Sequence, residues 1–333
     1  MAKRVDKAAA AARDLRASPP ACAKPKRLRF GEGRPLGLSL GSPARAVGRL
    51  ALYLGLSGVL FAPQALAVSL GHRLRERLPM FYHRLCCRIL GLEVERRGTM
   101  ATDRPTLFVC NHVSYLDIAV FGAVIPGCFV AKAEVARWPF FGQLARLQRT
   151  VFIERRRRAA RDERDSMSRR LAAGDNLILF PEGTSSDGNR TLPFRSALLS
   201  VAEIRPGTLA AAGRPLTVQP VSIAYTRLDG APMGYGLRPF VAWYGDMDLV
   251  GHLWRLAGLG RVAVTVEFHP PVTIDEFGSR KALTEHCQRA VAEGVAAAIG
   301  GRGQAQGAVP AAPADLVSPA EAGFAKAGAP GGA

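Results

Sequence analysis

From Leu50 to Leu70 the chain reads LALYLGLSGVLFAPQALAVSL, 21 residues without a charged side chain. As one helix it would reach roughly 31 Å, the thickness of a bilayer core. A stretch this apolar must be hidden in protein or in lipid, so it constrains any fold the chain adopts. Arg49 stands before it, Arg73, Arg75 and Arg77 stand after it, and Pro63 divides it. Three readings compete: a spanning helix, a helix or hairpin held in one leaflet, and a signal peptide. Ala65-Leu66-Ala67 imitates a cleavage site, but the 49 preceding residues are too many for a secretory leader. Membrane association is the expectation, with spanning slightly ahead of re-entrant. Basic flanks on both sides leave the orientation open. Residues 73–90, RLRERLPMFYHRLCCRIL, alternate arginine with apolar residues. They fit a helix at the membrane interface, or equally an amphipathic helix packed on a core.

The 333 residues allow one large α/β domain with extra segments. Hydrophobic residues make up 48% of the chain, enough for a sizeable core. The net charge of +18 favours anionic surroundings: a bilayer face, a phosphorylated molecule or nucleic acid. No nucleic-acid module or zinc-finger spacing is present, so nucleic acid is not an expected partner. Residues 1–45 form a basic tail without apolar periodicity, and residues 301–333 an Ala/Gly/Pro-rich tail. Membrane-anchoring helices are expected over 46–92 and the α/β domain over 93–300. The six cysteines (Cys22, Cys86, Cys87, Cys110, Cys128 and Cys287) form no C-x-x-C pair and read as reduced thiols facing the cytosol.

Beyond residue 92 short apolar runs alternate with helical patterns. Strands are expected at Thr106–Cys110, Cys128–Ala131, Thr150–Ile153, Asn176–Phe180, Thr217–Ala224, Phe240–Trp243 and Val262–Phe268. Helices are expected at Tyr115–Val124, Glu134–Leu147, Ala159–Ala172, Ser196–Glu203 and Lys281–Ile299. The fold class is therefore α/β, with a mixed, largely parallel sheet covered by helices. Active residues should gather beyond the strand ends.

Asn111-His112 follows the strand Thr106–Cys110 directly. Ser114 looks like a helix N-cap, with Asp117 three residues on, as in a capping box. On one continuous helix, residues five apart lie about 140° apart and do not meet. They meet if His112 sits in the turn and Asp117 in the first helical turn. A carboxylate on one ring nitrogen then fixes the tautomer, and the other nitrogen can take a proton from an alcohol. Alone, the spacing fits a dipole-complementing Asp and a buried turn His better. The strand Asn176–Phe180 runs into Pro181-Glu182-Gly183-Thr184-Ser185-Ser186-Asp187-Gly188, a turn with hydroxyls and backbone donors that can hold an oxyanion. A plain polar turn is an even alternative. A third strand delivers Arg155, whose guanidinium can clamp phosphate; Arg156, Arg157, Arg158 and Arg161 read as a solvated or headgroup-facing helix start.

Together these segments resemble the 1-acylglycerol-3-phosphate acyltransferases, the lysophosphatidate acyltransferases of phospholipid synthesis. That family carries N-H-x-S-x-x-D, F-I-x-R, F-P-E-G-T and V-x-P-V in order. Here they read Asn111–Asp117, Phe152–Arg155, Phe180–Thr184 and Val218–Val221, within about residues 90–300. The resemblance implies a glycerol-3-phosphate acyltransferase-like fold, with His112 as general base and Asp117 as its partner. It implies that Arg155, Glu182, Gly183 and Thr184 bind the acceptor, and that acyl-CoA or acyl-carrier protein donates the acyl group. It implies no bound cofactor, membrane lipids and a lysolipid as partners, and a catalytic domain on the cytoplasmic side of the inner membrane. Two positions depart: Arg149 and Thr150 stand where the family often has Gly, and Ser185 where many members have Arg. Further wording, including Thr184–Arg190 and Trp243–Met247, is similar to bacterial lyso-ornithine lipid acyltransferases, whose acceptor is an aminolipid without phosphate. The glycerol-phosphate acceptor stands narrowly first.

Two rival classes fit less. Gly37-Leu38-Ser39-Leu40-Gly41 matches the serine-hydrolase G-x-S-x-G, but lies in the basic tail without the required strand and helix. A non-enzymatic membrane-binding protein would use the same apolar segment and charge. Metal dependence has little support, because His72, His83, His252, His269 and His286 form no ligand spacing.

Overall fold

The computed structural model describes residues 41–154, 160–203 and 215–301. It opens with two helices, α1 (Pro43–Ser69) and α2 (Leu74–Leu90). An α/β array follows: β1 (Leu92–Gly98), β2 (Thr106–Cys110), α3 (Leu116–Val124), β3 (Cys128–Lys132), α4 (Phe141–Leu147), β4 (Val151–Ile153), α5 (Ala160–Ala172) and β5 (Leu177–Leu179). It ends with β6 (Thr217–Leu228), β7 (Ala231–Pro232), α6 (Leu249–Gly258), β8 (Val262–Phe268) and α7 (Arg280–Ile299).

The strands form one sheet in the order β1-β8-β6-β2-β5-β3-β4, with β7 appended to β6. The pairings of β8 and β7 with β6 are antiparallel. The others, from β1·β8 across β6·β2, β2·β5, β5·β3 and β3·β4, are parallel. This is the expected mixed, largely parallel sheet. Every residue of the central strand β2 is buried, as a strand covered on both faces must be. Phe108 joins Phe121, Ile178 and Ile223 on one face, while Leu107 and Val109 join Leu179, Leu283 and Val291 on the other.

Several elements differ from expectation. Phe240–Trp243 is not a strand: Arg238–Phe240 form a 3-10 turn and the segment runs on as a loop. Pro239 cannot donate to a ladder, and Val241 and Ala242 are buried because the loop plugs the core. Glu134–Leu147 is broken at Pro139 into a 3-10 turn, Ala133–Arg137, and the short α4. Ser196–Glu203 is 3-10 rather than α-helical. The edge strand β1, the two-residue β7 and helix α6 were not foreseen. Charged residues interrupt β1, and its pattern resembles no apolar run.

Helix α1 lies along the domain instead of projecting from it. Near its start, Arg49 donates to the Leu259 carbonyl at 2.8 Å and Arg45 to the same carbonyl at 3.1 Å. These guanidinium groups occupy the C-terminal end of α6, where free carbonyls favour cations. Midway, Ser57 Oγ meets the Tyr82 hydroxyl at 2.9 Å. Directly after Pro63, Gln64 Nε2 donates to the Leu147 carbonyl at 2.8 Å and the Arg75 carbonyl at 3.2 Å. These anchors span roughly 28 Å of helix. Its other face is apolar and open, with Leu52 62%, Val59 72% and Leu66 59% exposed. Helix α2 packs on the core as the amphipathic reading expected: His83, Cys86, Cys87 and Leu90 face the core, while Phe81 is exposed.

Candidate active site

The parallel strands β2 and β5 are neighbours, so the turns at their C-terminal ends lie side by side. His112 leaves β2 and Glu182 leaves β5. Helix α3 then carries Asp117 back towards the turn. His112 Nδ1 lies 2.8 Å from Asp117 Oδ2, with the histidine side chain 22% exposed and the aspartate fully buried. Asp117 Oδ2 also accepts the backbone N–H groups of Val113 at 2.7 Å and Ser114 at 3.0 Å. Its Oδ1 accepts the Tyr225 hydroxyl from β6 at 2.7 Å. Asp117 therefore accepts four hydrogen bonds, and each donor fixes the carboxylate in position. The arrangement leaves His112 Nδ1 as donor and Nε2 as the available base.

The cap itself differs from expectation. Tyr115, not Ser114, occupies the N-cap position, and the buried Ser114 hydroxyl has no hydrogen-bond partner among the described residues. Asp117 does the capping by reaching back onto the free amides. The capping and the pairing with His112 are thus one interaction, not alternatives.

Phe180 stacks on the His112 ring with centroids 4.4 Å apart, fixing the imidazole plane. The loop after β5 is bound to the same turn, where Ser186 N–H donates to the His112 carbonyl at 2.8 Å. Gly183 has φ +75°, the left-handed conformation the tight turn requires. Glu182 is buried, and its Oε1 accepts the Leu192 N–H at 3.2 Å. Burial pushes its carboxyl up to about 8, against the opposing pull of the Leu192 and His112 amides. Thr184 is exposed. The structure thus gathers His112, Asp117, Glu182, Gly183 and Thr184 at one sheet edge, whereas Arg155 lies outside the described residues.

The loop formed by residues 238–247 closes the arrangement. Trp243 N–H donates to the Val113 carbonyl at 3.0 Å, and the Ser185 hydroxyl bonds the Trp243 carbonyl. Arg238 donates to Asn189 Oδ1 at 2.8 Å and to the Met233 carbonyl at 2.7 Å. Sequence reasoning missed Tyr225, Phe180 and Arg238 as parts of the site. Tyr225 had one signal: a tyrosine in an apolar strand needs a hydroxyl partner.

Beside the turn opens an apolar cavity of about 230 Å³, walled by α1 to α4 and α6. Tyr53 and Leu60 of α1, Tyr82 of α2, Leu116 of α3, Phe129 of β3 and Leu253 of α6 line it. Leu116 ties it to the dyad, being adjacent to Asp117.

Known proteins share these features. A profile of the Acyltransferase family matches residues 91–224. The lyso-ornithine lipid O-acyltransferase of Brucella abortus is 42% identical over 256 residues, which cover 76% of this chain and 94% of that protein. The 1-acyl-sn-glycerol-3-phosphate acyltransferase of Neisseria meningitidis is 32% identical over 205 residues, covering 61% and 73%. In structure, the 1-acyl-sn-glycerophosphate acyltransferase of Thermotoga maritima superposes with a TM-score of 0.53 at 23% identity, covering 76% of this chain and 96% of that one. At that identity the superposition speaks for the fold alone. The Brucella relative is matched almost end to end, and on that ground the chain belongs to the Acyltransferase family of lipid O-acyltransferases.

Proposed function

We propose that the chain moves a fatty acyl group from a thioester donor, acyl-CoA or acyl-carrier protein, to a hydroxyl of a membrane lysolipid. The observation that carries this reading is the His112–Asp117 pair, locked by four hydrogen bonds beside an apolar cavity. His112 Nε2 takes the proton of the acceptor hydroxyl as its oxygen attacks the thioester carbonyl. The tetrahedral intermediate collapses, the carbon–sulfur bond breaks, and the thiolate recovers the proton from the imidazolium. Asp117 stabilises that imidazolium throughout. No enzyme nucleophile is needed. Glu182, protonated up to about pH 8, holds the His112 turn without adding a charge beside Asp117.

Two acceptors fit. The sn-2 hydroxyl of 1-acylglycerol-3-phosphate is supported by the ordered motifs and the Neisseria relative, and Arg155, Gly183 and Thr184 would hold its glycerol phosphate. The hydroxyl of lyso-ornithine lipid is favoured by a separate observation. Four relatives of that name, at 36–42% identity, cover 73–94% of their own lengths. A donor-by-acceptor assay on membranes containing the full chain decides between them. Transfer to neither lysolipid with either donor would leave only a membrane-binding role.

The membrane contact belongs to α1 and α2. Because α1 is anchored to the domain from Arg45 to Gln64, its exposed apolar face suits insertion into one leaflet better than crossing both. The domain then sits at the cytoplasmic face of the inner membrane, with the cavity mouth at lipid level.

A further inference from the structure

Helix α6 has a face that the described residues leave uncovered. Leu249 and Leu253 turn inward and wall the apolar cavity together with Leu50 and Tyr53 of α1. Val250 and Trp254, the next residues round the helix, lie about 100° away. They are 75% and 44% exposed. Four residues apart, they form one apolar stripe. Arg255 is exposed beside Trp254, and its Nε donates to the Gly251 carbonyl at 3.3 Å. The carboxylates of Asp246 and Asp248 stand at the other end of the helix, where the Gly251 N–H donates to Asp248 at 2.6 Å.

The neighbour of this helix is α1. Arg45 and Arg49 hold the start of α1 against the carbonyls of Gly258, Leu259 and Gly260. The two helices therefore lie side by side, each with one face on the cavity and another uncovered. On α1 the residues one step from Leu50 and Tyr53 are Ala51 and Leu54, and both are exposed. That open face belongs to the 21-residue stretch without charge. On its inner side α6 reaches the dyad turn. His252 is buried, and its Nδ1 lies 3.0 Å from the hydroxyl of Tyr115, which stands between His112 and Asp117 in the chain. Tyr115 also packs edge-on against Trp243, at 6.0 Å between ring centroids.

We infer that α6 is a third membrane-contact element, which places Val250 and Trp254 in the same leaflet as the open face of α1. A bilayer is the fitting occupant because the stripe adjoins that apolar face and sets an indole beside a guanidinium. Such a pair prefers the boundary between acyl chains and headgroup phosphates. Held by lipid on one side and by Tyr115 on the other, α6 sets the height of the dyad relative to the lysolipid headgroup. This contact rests on the insertion of α1 proposed above, and extends it.

The test places the full chain in vesicles of phosphatidylcholine and phosphatidylglycerol, with and without brominated acyl chains, which quench a tryptophan on contact. Emission comes from Trp138, Trp243 and Trp254. The difference between wild type and Trp254→Phe, which keeps an aromatic ring on the helix, isolates Trp254. Its emission should be the most strongly quenched of the three. Val250→Asp combined with Trp254→Asp should lower kcat/KM about tenfold for the lysolipid presented in these vesicles. The same variant should be nearly unchanged in detergent micelles, where no bilayer sets the height. Trp254 emission untouched by brominated lipid overturns the contact, as does an equal loss of activity in vesicles and micelles. A concentration-dependent dimer that Trp254→Asp dissolves would assign the stripe to a second copy of the chain, and overturns it too. Leu52→Asp combined with Val59→Asp separates this contact from the reading beneath it. If that variant stays on the vesicles as wild type does, the insertion of α1 fails. If it is released while wild-type Trp254 is unquenched, the α6 contact alone fails.

Discussion

Two turns leave the same edge of the sheet on adjacent strands, and they are built differently. The turn after β2 closes on itself: Asp117 is fully buried and takes the amides of Val113 and Ser114 as well as the His112 ring. The loop after β5 is held from outside, through the His112 and Trp243 carbonyls and through Arg238. It presents Thr184, Asp187 and Arg190 outward. A proton transfer needs a base fixed to a fraction of an ångström, so its supports are local and redundant. Acceptor recognition can change by exchanging side chains on a framed loop, leaving the base undisturbed. Substitutions in the first turn should therefore reduce kcat for every acceptor, and those in the loop should alter the ratio between acceptors.

The largest expected effect tests the first half of that statement. His112→Ala should lower kcat about 10³-fold or more with both donors, as loss of a general base does. The side chain donates to the buried Asp117 and stacks on Phe180, so a stability loss of about 1–2 kcal/mol should accompany it. Asp117→Asn should lower kcat by about 10²–10⁴ by disturbing the tautomer. It should also destabilise the fold, since Val113, Ser114 and Tyr225 lose a charged acceptor. Substantial activity in either variant, measured as acyl transfer under saturating donor, would show that the dyad is not the catalyst.

Tyr225→Phe is a milder probe. It removes one of the four donors to Asp117 and leaves the ring in the core. Tyr225 is buried, and its hydroxyl sits beside the Asp117 charge, so its pKa is raised and it stays a donor at all accessible pH. Loss should cost about 1–2 kcal/mol of stability, read by denaturant melts, and several-fold in kcat, with KM unchanged for either lysolipid. A change in acceptor preference instead would mean the two turns are not functionally separate.

Much of this division was legible in the residues. The runs Thr106–Cys110 and Asn176–Phe180 are apolar enough to be read as core strands, and the turns follow where their apolar character stops. A helix start between His112 and Asp117 allows residues five apart to meet, but their spacing alone favoured a capping Asp and a turn His, and it was the ordered family motifs that made them a pair. What was not legible was non-local. Tyr225 lies 108 residues from Asp117, and nothing in local pattern links them. The run Phe240–Trp243 looks like a strand because it is apolar and buried, yet its burial comes from plugging the core beside Val113. Helix α1 shows the same limit: its composition announces lipid, but only Arg45, Arg49, Ser57 and Gln64 reveal that one face belongs to the domain.

The last expected effect falls on stability and leaves the proton transfer untouched; it concerns Glu182, which belongs to the loop by sequence and to the His112 turn by contact. Its carboxyl is raised from 4.5 to about 8 in the folded chain, chiefly by burial. Between those values the unfolded chain has given up its proton and the folded chain has not. Stability from this group is therefore full below pH 4.5 and lost as pH rises towards 8. The slope is at most about 1.4 kcal/mol per pH unit. Glu182→Gln keeps an oxygen for the Leu192 amide and removes the proton. The variant should gain stability relative to wild type as pH goes from 5 to 8, with the difference levelling off above 8. Paired denaturant melts across that range read the difference directly. If it stays flat, Glu182 is ionised in the folded chain, and a second carboxylate faces the substrate beside Asp117. Recognition and chemistry would then share a charge, and the separation between the two turns would fail at this residue.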